Sequence, residues 1–302
     1  MSDRYLEFAN STLGRRLVGA VGLPRPIRLE RWTSGRSRPV DGAILLGGGL
    51  LASTLAGSLK RLSSELYADR DGLGELPRWP GASPLKALVF DASDLDSPER
   101  LGELRRFFQP ALAQLDSCPH ILVLGRAPES LKDPFAASAQ RSLEGFTRSL
   151  GKEVRRGGTV QLLYVAEGAE DQLEGALRFF LSPKSAYVSG QVLRLQANRA
   201  QVKDWSRPLA GKRALVTGAS RGIGAAIAET LARDGADLLL LDVPQAGTAL
   251  EALAARLGGR SLALDICAED AAQRLTEALP DGVDIVVHNA GITRDKTLAK
   301  MS

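Results

Sequence analysis

Apolar and polar positions follow two rhythms along the chain. Short continuous apolar runs are separated by stretches in which apolar residues recur every three or four positions. Strands buried on both faces therefore alternate with amphipathic helices. The pattern predicts a helix over 5–21 and an irregular Pro/Arg-rich stretch up to 40. A strand from Gly42 into Gly47-Gly48-Gly49 follows, then a helix over 51–66 and a Gly/Pro-rich loop over 69–83. Strands at 85–91, 120–125, 159–165 and 187–195 enclose helices at 98–115, 136–155 and 171–181. The polar stretch after them reads as a linker. The rhythm then restarts, with strands at 212–218, 236–242, 261–265 and 283–288 and helices at 222–234, 246–257 and 269–279. Such alternation predicts an α/β protein with doubly wound, Rossmann-like parallel sheets. The expected division is a helix and basic arm over 1–40 packed on a first domain at 41–196, a linker at 197–210 and a second domain at 211–302. Four strands and three crossover helices make only about half of a doubly wound domain, so the second is expected to be incomplete and the chain truncated.

Composition narrows the classes. Of 302 residues, 44% are hydrophobic and 25% charged, which is ordinary for a globular core. Two cysteines (Cys118 and Cys267) exclude a disulfide scaffold, and two histidines leave no basis for a zinc cluster, so no metal is expected. No run of eighteen apolar residues and no apolar leader at residues 1–7 appear, so a cytoplasmic protein without a membrane partner is expected. The net charge of +4 is uneven: from Gly211 onward 10 Lys+Arg face 12 Asp+Glu, leaving 29 against 23 before it. Eight arginines precede residue 40. They would suit an acidic carrier, a CoA phosphate or a nucleic-acid backbone. A solvated arm is the simpler reading, and nucleic acid is not expected, because no aromatic residues interleave at stacking spacing.

The most informative octet is Thr217-Gly-Ala-Ser-Arg-Gly-Ile-Gly224, directly after an apolar strand and opening a helix. Glycines at 218, 222 and 224 allow a tight turn, close approach of backbone to a pyrophosphate and close helix packing. Amides at the helix start form the anion site. Asp242 ends the second strand, where a carboxylate binds the adenosine ribose hydroxyls. Asp265 ends the third strand and can meet an adenine amino group. Asn289-Ala290-Gly291 ends the fourth. Asp242 repels a 2′-phosphate, which favours NAD(H) over NADP(H), whereas Arg221 could pair with such a phosphate.

Thr-Gly-x-x-x-Gly-Ile-Gly with Asn-Ala-Gly resembles the short-chain dehydrogenase/reductase superfamily. The stretch Ala214 to Gly224, with Asn289-Ala-Gly-Ile-Thr-Arg-Asp295, resembles bacterial 3-oxoacyl-(acyl-carrier-protein) reductases, and the layout from residue 1 resembles their high-molecular-weight type with an extra N-terminal domain. The resemblance implies that Gly218, Ser220, Arg221, Ile223 and Gly224 line the cofactor phosphates and ribose. It puts Asp265 and Ile266 at the adenine, with Asn289, Ala290 and Gly291 on the adenosine side, bracing the sheet. Thr217 and Gly222 complete the expected cofactor set. His288 stands where the family usually has Asn, and is read as a packed strand-end residue. The implied reaction is NADH-dependent reduction of a 3-oxoacyl thioester, carried on acyl carrier protein or CoA, in fatty-acid metabolism. A homodimer is implied as well. The family's Tyr and Lys four residues apart, with a Ser and an Asn, lie beyond the fourth strand, so no catalytic residue is expected among these 302, and the chain alone is expected to be inactive.

The first domain resembles a degenerate copy of the same unit. Aligned on Gly145-Phe-Thr, Ala136 and Gln140 fall at the family's Tyr and Lys positions. Leu51 and Ser53 replace the later glycines of a fingerprint that would start at Gly47. A residual anion site at Gly47–Gly49 is the other reading. Two alternative functions remain open: a short-chain dehydrogenase for another ketone or alcohol, and a non-catalytic nucleotide-binding or dimerisation module.

Overall fold

A computed structural model describes all residues except 1–3, 24, 25, 34, 37, 74 and 292–302. Two compact units emerge, Met1–Arg199 and Ala200–Ser302.

In the first unit α1 (Arg4–Asn10) and α2 (Thr12–Ala20) precede β1 (Ile44–Gly48), α3 (Ala52–Leu59), β2 (Leu66–Ala68) and β3 (Leu85–Asp91). The chain continues through α4 (Gly102–Leu112), β4 (Leu115–Gly125), α5 (Pro134–Glu153), β5 (Thr159–Val165), α6 (Leu173–Phe180) and β6 (Gln191–Leu195). All six strands are parallel, in the order β2-β1-β3-β4-β5-β6. That is the flavodoxin-like order with one strand added. Every residue of β1, β3 and β5 is buried, which explains their unbroken apolar runs. Leu55 and Leu59 of α3 and Leu173 and Leu177 of α6 cover one face. Phe107 and Phe108 of α4 and Leu143 and Leu150 of α5 cover the other.

The second unit comprises β7 (Arg213–Thr217), α7 (Gly222–Arg233), β8 (Asp237–Asp242), α8 (Gly247–Leu257), β9 (Arg260–Ala263), α9 (Ala271–Ala278) and β10 (Ile285–Val287). Its parallel strands run in the order β10-β7-β8-β9. From β7 the chain winds to one side for β8 and β9, then returns to the other side for β10. The carboxyl ends of β7 and β10 thus flank a switch point, where ligands of such sheets bind.

Several expected elements differ. The single helix over 5–21 is two helices, because the Ser11 hydroxyl caps the second by accepting the Gly14 amide at 3.0 Å. The helix expected over 51–66 stops at Leu59, and Leu66–Ala68 forms an unexpected strand on β1, between the expected helix and loop. Three residues are too few to show any period. β4 begins at Leu115, not 120, and β6 at Gln191, not 187. His288 is exposed rather than packed, because β10 pairs with β7 alone among the described residues, leaving Val286 and His288 outward.

Nor is the basic arm wholly solvated. Glu30 forms an ion pair with Lys86, whose side chain is only 6% exposed. The Arg31 guanidinium donates to the Tyr187 hydroxyl and sits 4.7 Å from that ring's centroid. The Lys184 ammonium lies 5.1 Å from the centre of the Trp32 ring. These contacts hold the arm on the first unit.

Candidate functional site

At the switch point of the second unit β7 delivers Thr217 and Gly218, and α7 starts at Gly222. Gly218 and Gly222 have φ of 64° and 60°, a conformation that disfavours residues with a Cβ. A Cβ on Gly218 would also lie 2.9 Å from the Ala290 Cα and the Asn289 side-chain nitrogen Nδ2. A Cβ on Gly224 would fall on the Gly218 carbonyl, so this glycine permits the tight contact between helix and loop. The Asn289 side chain donates to the carbonyls of Thr217 and Gly218, at 3.1 and 3.0 Å. The buried Thr217 hydroxyl accepts the amides of Asn289 and Ala290, at 3.1 and 3.0 Å. Thr217 and Asn289 therefore lock the ends of β7 and β10 together, and the loop is held before any ligand arrives.

The loop opens on a cleft of about 790 Å³. Its walls take Gly218, Ser220, Arg221, Gly222 and Ile223 from the loop, Asp242 from β8, and Asn289, Ala290 and Gly291 from beyond β10. Asp242 accepts the Ser220 amide at 2.9 Å through Oδ2 and the Val243 amide at 2.9 Å through Oδ1. Burial pushes its carboxyl up. Hydrogen bonds from Ser220 and Val243, with the Arg221 charge, outweigh this and hold it below the usual carboxylate range. It is therefore an anion at neutral pH, with lone pairs left to accept further donors.

Not every expected residue meets there. Thr217 and Gly224 are buried behind the loop. Asp265 and Ile266 are exposed and do not line the cleft, and the Asp265 carboxylate accepts the Cys267 amide at 2.9 Å. Val243, Gln245, Ala246 and Ala249 do line it, and sequence reasoning missed them. The signal available was their place just after Asp242. Ile292–Asp295, quoted for the resemblance, lie outside the described residues.

The first unit's glycine stretch is closed. Gly48 has φ of 104°. Cβ atoms added at Gly47 and Gly49 would fall on the Phe107 ring and the Asp94 carboxylate. The buried Asp91 carboxylate accepts the Leu51 amide at 2.6 Å and the Ser93 amide at 3.0 Å. An internal carboxylate thus sits at the start of α3, where an anion would have bound. Gln140, at the position aligned with the family's Lys, is fully satisfied: its amide donates to the carbonyls of Ala92 and Leu95 and accepts the Arg126 amide. Gln140 clamps the ends of β3 and β4.

A family model described as enoyl-(acyl carrier protein) reductase matches residues 218–302. The 3-oxoacyl-(acyl-carrier-protein) reductase FabG of Vibrio cholerae is 46% identical over 96 residues, which cover 31% of this chain and 39% of that protein. Its Escherichia coli counterpart is 45% identical over 96 residues, covering 30% and 38%. The family-model match lies within the second unit, in the C-terminal third of the chain. The chain spans about two fifths of the length of these curated relatives. The oxidoreductase UcpA of Salmonella typhimurium is 40% identical over 102 residues, covering 31% and 38%. Among solved structures, L-sorbose reductase from Gluconobacter frateurii, complexed with NADPH and L-sorbose, matches with 32% identity and a TM-score of 0.29 over 32% of this chain and 40% of that one. Among the described residues, no helix is long and apolar enough to cross a membrane.

Proposed function

We propose that the second unit binds a nicotinamide dinucleotide, NAD(H) in preference to NADP(H). The protein would then serve the reduction of 3-oxoacyl thioesters to 3-hydroxyacyl thioesters. Asp242 is the observation that carries the cofactor reading. It is an anion at the end of β8, beside the glycine loop, and a 2′-phosphate brought there would meet like charge at short range. A free 2′-hydroxyl would instead donate to it. In this reading the phosphates rest on the amides of Gly222 and Ile223 at the start of α7, with Gly218, Ser220 and Arg221 lining the phosphates and ribose. The adenine lies toward Asp265 and Ile266. Thr217, Gly224, Asn289, Ala290 and Gly291 hold the loop and the adenosine side. When bound, the reduced nicotinamide supplies the hydride for the keto carbon.

The substrate reading, a 3-oxoacyl group on acyl carrier protein, draws on the 46% and 45% identical reductases; CoA as an alternative carrier and a cytoplasmic homodimer belong to the same proposal. One observation favours a second reading, a nucleotide-binding module without turnover. None of the four tyrosines has a lysine four residues on, so the family's proton donor and its lysine are not among these residues.

Titration of the chain with NADH and NADPH tests the cofactor. NADH is expected to bind at least about tenfold more tightly, a difference of about 1.4 kcal/mol. Tighter NADPH binding would sink the assignment. With acetoacetyl-CoA and NADH, no turnover is expected from these 302 residues, and measurable turnover would place the catalytic groups within them.

A further inference from the structure

At the start of the chain α1 and α2 form a hairpin and pack on each other. A Cβ on Gly14 would fall on the Phe8 carbonyl, so this glycine lets the two helices touch. The Asn10 side chain donates to the carbonyls of Leu6 and Pro26, at 2.9 and 3.1 Å, and closes the turn. Ala9 and Val18 are buried, yet they join neither hydrophobic cluster of the first unit. With Gly14 they are the buried residues of helices only seven and nine residues long. Helices so short hold in water only through packing, and this inner side supplies little of it.

The outer side is the apolar one. Leu13, Leu17 and Val21 recur every four residues along α2 and its cap, exposed by 66%, 48% and 71%, and Phe8 of α1 is exposed by 45%. Of the eighteen exposed large hydrophobic residues among those described, seven fall from Tyr5 to Ile27, which makes a patch rather than the usual scatter. Positive charge accompanies it. Residues 1–40 hold eight arginines against Asp3, Glu7 and Glu30, a net +5, and Glu30 is already engaged by Lys86. Arg4 and Arg16 are exposed on the hairpin itself, and Arg16, three residues past Leu13, borders the stripe. In a symmetric pair of copies these basic residues would face their own like. A protein partner would have to be shaped to an apolar ridge. A bilayer takes such a ridge without shape complementarity, and anionic headgroups answer the arginines.

We propose that the hairpin lies in the interface of an anionic lipid bilayer, with Leu13, Leu17 and Val21 entering the boundary between headgroups and acyl chains and Arg4 and Arg16 meeting lipid phosphates. It lies on the membrane and does not span it. This corrects the expected absence of a membrane partner: a stripe of about two turns leaves no long apolar run in the sequence. The surface does not depend on the cofactor assignment.

Flotation of the 302-residue chain with phosphatidylcholine vesicles, with and without phosphatidylglycerol, tests this. Binding to the anionic vesicles is expected to be at least about tenfold tighter than to the neutral ones, and added salt should weaken it. This comparison depends on no variant. Leu13→Gln combined with Leu17→Gln should weaken binding by at least about tenfold, and Arg16→Gln by about fivefold. These positions are exposed and outside the clusters of the first unit, so both variants should melt with the parent. No binding to anionic vesicles, or equal binding to neutral ones, would overturn the proposal. So would unchanged binding by the Leu13→Gln/Leu17→Gln variant. A dimer of the unaltered chain in sedimentation velocity that is lost in that variant would put a second copy on the stripe and overturn it too. Saturable binding of an acidic helical peptide, with none to vesicles, would put a protein there instead.

Discussion

Single residues show how each unit treats the charges that its topology brings inside. In the second unit Asp242 is left an anion facing the cleft. In the first, Asp91 is turned inward onto the Leu51 and Ser93 amides, and burial pushes its carboxyl up. His120 shows the same principle at the other end of the sheet. Its Nδ1 meets the Thr159 hydroxyl at 3.1 Å, and its Nε2 is buried without a partner. Burial first, then the nearby Lys86 charge, pushes its pKa down from 6.5 to about 4. The unfolded chain takes up a proton near pH 6.5 that the folded protein refuses until about pH 4. Stability attributable to this group is therefore whole above pH 6.5 and lost as pH falls between those values, by about 3 kcal/mol in all. His120→Gln should remove that part of the loss. Denaturant unfolding at pH 7 and pH 4.5 of both proteins measures it. An equal drop in both would show that His120 is not the group responsible.

At the scale of elements, what the sequence revealed depended on length and repetition. β7, β8 and α7 were legible because Ala214-Leu-Val and Leu238-Leu-Leu-Leu are unbroken, and because the glycines at 218, 222 and 224 have one geometric use in that place. β2 was not legible, since Leu66-Tyr67-Ala68 pairs with β1 over only three residues. The break between α1 and α2 hung on one hydroxyl at Ser11. Gln140 could be aligned with a family lysine, but only the fold shows that its amide joins Ala92, Leu95 and Arg126. Inward-turned partners of this kind leave no periodic trace. The loop and α7 make the sharpest test. Gly224→Ala places a methyl on the Gly218 carbonyl while leaving the hydrophobic clusters of the unit untouched. Its expected effect is a loss of NADH affinity of about a hundredfold, since the added methyl, 2.1 Å from the Gly218 carbonyl oxygen, must displace the loop by about 1 Å, more than the few tenths of an ångström within which N–H···O bonds keep their strength. Far-UV circular dichroism should be retained. Unaltered NADH affinity would show that close packing of α7 on the loop is unnecessary.

At the scale of the whole molecule, each unit has buried clusters of its own among the described residues. The first unit has two clusters, one on each face of its six-stranded sheet, and the second unit has two of its own. Each unit therefore carries the apolar burial that a domain needs to hold its shape. Between them, residues 197–204 are exposed and belong to neither strand nor helix. Proteolysis of a native protein requires a stretch of chain to be pulled free, and exposed backbone outside strands and helices is the kind most readily released. The segment around Trp79 is better held: the Trp79 amide donates to Ala68 at 2.9 Å, the Ala68 amide to Pro77 at 2.9 Å, and the Trp79 ring is half-buried against Phe90 and Phe107. Within residues 41–287, brief trypsin treatment should therefore cut first after Arg199 or Lys203, ahead of Arg70 and Arg78. Mass spectrometry of the early fragments checks the order. The fragment ending at Arg199 should persist and melt cooperatively, because both of its clusters are intact. Early cleavage at Arg70 or Arg78 would instead show that the crossover from β2 to β3 is the weakest point of that range, and that Trp79 does not anchor it.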